Sequence, residues 1–258
     1  MDLSFKLIIT FLLPLLAVLA SILIGQRYGR YRAGRSAAAD PGTVSSAVTA
    51  AFGLSAFMIA FTFQIAADRY DQRRELLVKE ADHIRTAFLR AELLNEPIKS
   101  QTKKLLIEFV NLRVDISPDS SEFRRLDTRS QQILDSCWSF TVALAQEDRS
   151  SEVYALYTSS INDLFSSYNE RLAVTFAYDI PSAIFWVLGI ITILSMLALG
   201  YQFGIAGKGS IRINLLLAVV YAVVMSLIIV LDHPATGLVK INQQPLLKLQ
   251  KELIEAGK

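Results

Sequence analysis

The chain has 258 residues, enough for one large domain or two small ones. Apolar residues make up 52% and charged residues only 19%, which sets it apart from ordinary soluble proteins. A formal charge of +2 is too small for the electrostatic footprint of a nucleic-acid binder, and the lone Cys137 excludes an internal disulfide framework.

Four uncharged runs stand out. They lie between Lys6 and Arg27 (20 residues), Asp40 and Asp68 (27), Asp179 and Lys208 (28), and Arg212 and Asp232 (19). A hydrocarbon core of ~30 Å takes roughly 20 helical residues, so each run can cross it. The first run is longer than the ~7–15 apolar residues of a signal peptide, and Arg27, Arg30, Arg32 and Arg35 follow it as after a retained span. The reading is an all-α membrane protein with four transmembrane helices in two pairs. It divides into a first pair (1–67), an extramembrane helical bundle (68–179), a second pair (180–231) and a tail (232–258).

The first helix pair ends without a breaker. From Thr43 to Asn95 there is no proline and only one glycine, Gly53, so the second span is predicted to continue into the bundle as one helix of roughly 80 Å. The region 68–179 contains no glycine, which argues against hairpins and sheet. Its two prolines, Pro97 and Pro118, divide it into helices ending near Asn95, running from Pro97 to Asp115, and running from Pro118 to Arg149. Ser150-Ser151-Glu152 reads as the N-terminal cap of a fourth, ending near Asp179.

Apolar spacing supports each of these helices. Leu77, Ala81, Ile84, Phe88 and Ala91 form one stripe. Val153, Tyr157, Ile161, Leu164, Tyr168 and Leu172 form a second; Leu126, Ile133, Cys137, Thr141 and Leu144 form a weaker third. Striped helices bury their stripes against each other, which predicts a bundle with Cys137 as a buried structural thiol. A break is expected at Ile180-Pro181, where the bundle meets the third span.

Catalytic and metal signatures are missing. His83 and His233 have no ligand partner at helical spacing, and His83 is expected to be solvated or lightly buried. The stretch Gly204-Ile-Ala-Gly-Lys-Gly-Ser210 fails the phosphate-loop spacing and reads as a plain turn. No dense carboxylate cluster suits calcium. No enzyme activity, metal or cofactor is expected.

The second span carries the most informative pattern. Ser45, Thr49, Gly53, Ala56 and Ala60 are small and share a face, allowing close helix approach. Phe57 and Phe61 lie one turn apart. They can face lipid or pack between helices. Alternatively, copies from several subunits can form an apolar ring around a pore, with Gly53 beside it and Gln64, Asp68, Arg69 and Arg73 at its mouth. The usual role of these last four residues is snorkelling or helix–helix salt bridges. No charge falls inside any run, so a conduction path would follow a symmetry axis between subunits.

Specific stretches carry a resemblance. Phe61-Thr-Phe-Gln is followed by Arg69-Tyr-Asp-Gln-Arg-Arg-Glu75, then Glu80-Ala-Asp-His-Ile-Arg-Thr-Ala-Phe-Leu-Arg90, and after the last span Leu231-Asp-His-Pro-Ala-Thr-Gly237. Together with the order of span pair, bundle and span pair, they resemble the bacterial bestrophin-like family, and more distantly the bestrophin anion channels. The resemblance covers almost the whole chain. It implies structural roles for Tyr70, Glu80, Arg90, Asp232, Pro234 and Gly237. It further implies a homo-oligomer, with a pentamer favoured, that conducts anions such as chloride through a neck on the second span, in the bacterial inner membrane. Two departures stand out. Gly53 replaces a third bulky neck residue, and Ala235 stands where the family commonly has phenylalanine. With no acidic calcium clasp, the resemblance implies gating without calcium.

Orientation is less sharply written. Arg27, Arg30, Arg32, Arg35, Lys208 and Arg212 in the short loops nearly balance Lys6, Arg69, Arg73, Arg74 and Lys79 on the bundle side. The resemblance favours a cytosolic bundle; the arginine-rich first loop favours the opposite side. A competing function is a membrane-anchored scaffold or sensor, supported by the amphipathic tail 245–255, which can dock on its own bundle or elsewhere.

Overall fold

In a computed structural model, residues 3–34, 41–115, 122–176, 180–207, 209–232 and 241–256 are described, and every regular element among them is an α-helix. In chain order these are α1 (Leu3–Ala33), α2 (Pro41–Ala91), α3 (Ile98–Asp115), α4 (Phe123–Glu147), α5 (Glu152–Phe176), α6 (Ser182–Ala206), α7 (Ile211–Asp232) and α8 (Gln244–Ala256). Four of them, α1, α2, α6 and α7, are long and apolar enough to cross a membrane. The chain divides into two compact units: residues 1–70 with 179–239, and residues 71–178 with 240–258.

The unit of spans is built on close helix approach. Gly25-Gln-Arg-Tyr-Gly29 in α1 faces Gly200-Tyr-Gln-Phe-Gly204 in α6, two small-xxx-small motifs in register. A Cβ on Gly204 would stand 2.8 Å from the Gly29 Cα, and one on Gly25 2.9 Å from the Tyr201 amide nitrogen. Neither distance admits a side chain, so only glycine lets these backbones touch and gain dispersion contact where the hydrophobic effect is weak. Beside this seam, Val18, Ile22, Met196 and Ala218 form one buried cluster, and Ala66, Ile180, Leu188 and Ile228 a second. Outside, Leu13, Leu16, Trp186, Leu194 and Leu216 are each more than half exposed, an apolar surface of the kind a bilayer covers.

Polar side chains stitch the spans from within. Ser195 Oγ donates to the Ala51 carbonyl (3.1 Å), Ser226 Oγ to the Thr10 carbonyl (3.1 Å), and Asn214 Nδ2 to Gln26 Oε1 (3.0 Å). Buried polar groups require such partners, and in hydrocarbon the requirement is strict. The glycine-rich turn ends α6 simply: Gly207 takes φ 66°, the left-handed region that closes a helix at low cost for glycine.

The break at Pro181 occurs as the sequence predicts, with α6 starting at Ser182. The Ile180 N–H, buried and outside any helix, donates to Asp232 Oδ1 at 3.1 Å. Pro234 and Gly237 of the same motif lie outside the described residues.

The second unit is a bundle of the C-terminal part of α2 with α3, α4, α5 and α8. The residues of the first stripe, Leu77 to Ala91, are all buried, as are Tyr157, Ile161, Leu164 and Tyr168 of α5 and Ile133, Cys137 and Leu144 of α4. The α5 cap is Ser151, whose Oγ accepts from the Tyr154 N–H at 3.3 Å. The tail helix α8 packs here too, burying Leu246, Leu249 and Leu253, with Arg85 donating to Glu252 at 2.9 Å and Gln250 to Asn111 at 2.8 Å.

Candidate functional site: one face of α2

Along α2 the burial pattern is two-sided. Val48, Ser55, Thr62 and Ala66 are buried, at intervals of seven, seven and four residues that keep them on one side of a helix. The opposite side, at Gly53, Phe57, Ala60, Gln64 and Asp68, is exposed in the single chain. Phe57 and Phe61 are 64% and 54% exposed, with parallel rings (13° between planes) and centroids 6.3 Å apart. A Cβ on Gly53 would meet nothing within 4 Å, so the packing of this chain does not demand glycine there. Small and aromatic residues thus occupy neighbouring strips of the same uncovered arc.

The residues predicted at its end separate. Gln64 Nε2 donates to Asp68 Oδ1 at 2.7 Å, and both side chains are exposed. Arg69 and Tyr70 are half-buried and Arg73 is buried, so these three leave the exposed arc to Gln64 and Asp68. The next exposed carboxylates along the helix are Asp71 and Glu75.

In the bundle, the motif residue Glu80 is fully buried and pairs with two arginines. Arg113 Nε of α3 lies 2.9 Å from Glu80 Oε1, and Arg171 Nη1 of α5 donates to Glu80 Oε2. The Arg113 guanidinium also stacks over the Tyr168 ring, 5.2 Å from its centroid, while the Tyr168 hydroxyl donates to Asp127. Burial lowers the Arg171 pKa and Glu80 partly offsets it; burial, followed by the Asp127 hydrogen bond, raises that of Tyr168. Arg90, the end of the same motif, donates to the Leu156 carbonyl at 2.7 Å, and the half-buried His83 donates through Nδ1 to the Asp163 carbonyl at 2.9 Å.

The sequence reading marks Glu80 but not its partners. One signal was available: Glu80 falls three residues after Leu77 and four before Ile84, within the buried stripe. A carboxylate in that position requires buried cations. The paired glycine motifs of α1 and α6 were likewise visible, though not their pairing.

No group of three or more His, Cys, Asp or Glu side chains arranged to hold a metal occurs among the described residues.

Four membrane-length helices and an extramembrane-type helical bundle, with one helix shared between the two units, define a multi-pass helical membrane protein. The bestrophin-like domain profile matches residues 8–246, and the chain belongs to that family. Its fold is also that of solved bacterial bestrophin homologues from Klebsiella pneumoniae. One variant with a single substitution is 15% identical, with a TM-score of 0.70 over 98% of this chain and 100% of the other. A second such variant is 15% identical at TM-score 0.68, over 96% and 98%. A third structure, solved by zinc phasing, is 14% identical at 0.67, over 95% and 98%. No curated protein sequence matches.

Proposed function

We propose that this chain is a subunit of an oligomeric ion channel of the bacterial inner membrane, with its pore lined by the exposed face of α2 around the symmetry axis. The observation that carries the reading is the pairing of Phe57 and Phe61 on a face that its own chain leaves uncovered. Repeated around an axis, such a pair makes an apolar constriction of the kind that gates by dewetting, and five copies are favoured by the bestrophin resemblance. Gln64 and Asp68 then stand at the mouth, while Arg69 and Arg73 sit off the exposed arc and support the helix. The packing of α8 into its own bundle removes the feature that favoured a scaffold docking a partner through its tail.

The resemblance to bestrophins favours anions, chloride among them, as the conducted species. A second reading has a specific observation behind it: the exposed acid on the uncovered face, Asp68, favours cations, as carboxylate rings do. Purified protein in planar bilayers under a potassium chloride gradient tests both. A reversal potential at the chloride equilibrium value supports anion selectivity, one at the potassium value supports the Asp68 reading, and no conductance from intact oligomers across pH and voltage sinks the channel. A cytosolic bundle goes with this proposal, because the bestrophin resemblance favours it. A Cys137→Ala, Ser139→Cys protein should then resist an impermeant thiol reagent in intact cells; labelling there reverses the orientation.

A further inference from the structure

The bundle has one groove whose chemistry the channel reading does not use. It lies between α2 and the first two turns of α8 and has a volume of about 570 Å³. That is large enough for a small organic ligand and far larger than a single ion needs. Three cations line it, Arg74, Lys248 and Lys251, and among the described residues no carboxylate does; Leu77, Val78 and Leu247 form an apolar wall beside them.

The positive charge is not offset within the groove, whereas several other cations of the bundle are paired, though not all: Lys99 and Lys104 have no ion pair among the described residues. Elsewhere Lys79 is held by Glu170, Lys103 by Glu92, Arg129 by Glu108 and Arg85 by Asp82 and Glu252. Among the described residues, the side chains of Arg74 and Lys251 have no ion pair at all. Lys248 reaches Glu252 only at 4.0 Å, with 77% of its side chain exposed, and Glu252 is already engaged by Arg85. Three like charges line one concavity whose described wall holds no acid, so an anion entering it meets only favourable charge. An arginine and two lysines, a planar fork and two mobile point charges, are the donor set that suits a multi-oxygen anion.

We propose that this groove binds a phosphate ester, with the phosphate between Arg74, Lys248 and Lys251 and its carbon portion against Val78 and Leu247. The phosphate of an anionic lipid headgroup and that of a soluble metabolite share this chemistry.

The test uses the full chain purified in a neutral detergent and titrated calorimetrically with dioctanoyl phosphatidate and, separately, with inorganic phosphate. Binding of phosphatidate alone identifies a lipid headgroup as the source, whereas binding of inorganic phosphate identifies a soluble one. In either case Arg74→Gln/Lys248→Gln/Lys251→Gln should weaken the bound probe by at least about tenfold, affinity should fall steeply as salt rises, and Lys104→Gln should leave it unchanged. The single Lys248→Gln variant, altering a side chain that is mostly in solvent, should give a smaller loss in the same direction without any change in melting temperature. If neither probe binds, or the triple variant binds as the parent does, the proposal is overturned.

Discussion

Glu80 and Arg113 form an ion pair with both side chains shut off from solvent, 0% and 2% exposed, and Nε and Oε1 2.9 Å apart. Arg171 shares the same carboxylate, so one acid holds together α2, α3 and α5. Glu80→Ala leaves two buried guanidinium groups without their counter-charge. Breaking a buried pair from one side costs ~3–5 kcal/mol, and that loss is expected here. Melting of the detergent-solubilised protein checks it; a shift of no more than a degree or two would mean that water reaches the cluster.

Phe57 and Phe61 should behave in the opposite way. Their rings contribute little to the packing of this chain, so Phe57→Ala and Phe61→Ala should leave its melting nearly unchanged while altering single-channel current. Gly53→Ala should also fold normally, because a Cβ there meets nothing. Unaltered currents in all three variants would move the constriction elsewhere.

The α1–α6 seam gives a third expectation. Gly204→Leu drives a side chain into the backbone of α1 near Gly29, where nothing flexible can give way. The penalty should exceed the ~1–3 kcal/mol typical of overpacking, and the protein should lose its monodisperse profile in detergent. Gly53→Leu, the same change on the open face of α2, serves as the control and should retain it.

Cys137 offers a reactivity prediction with a defined pH dependence. Burial raises its pKa from 9.0 to about 12. At pH 8 the thiolate fraction in the folded protein is therefore about a thousandfold lower than in the unfolded chain. Labelling by a thiol reagent should be very slow until denaturant is added. Because the folded state holds the proton more tightly, this group's contribution to stability is complete below pH 9 and declines between pH 9 and about 12. Fast labelling of the folded protein at pH 8 would show that α4 opens readily.

The architecture was legible in the sequence for a simple reason. Bilayer crossing and helix burial impose long uncharged runs and a period of 3.6 on the chain, and both are local. The four spans, the unbroken course of α2, the boundaries at Pro97 and Pro181 and the Ser151 cap all follow from residues within a few positions of one another. The phenylalanine pair was equally visible, as was its place on one side of a helix. What local pattern does not contain is partnership. Glu80 meets Arg113 and Arg171 across 33 and 91 positions, Asp232 meets Ile180 across 52, and the two glycine motifs meet across about 175. Only tertiary packing decided which face of α2 is covered, because two sides of a helix with similar composition differ only in what lies against them. It also decided that Arg73 is buried while Arg74 opens into a groove. Adjacent residues on a helix point about 100° apart, and the neighbours each one finds there come from distant parts of the chain.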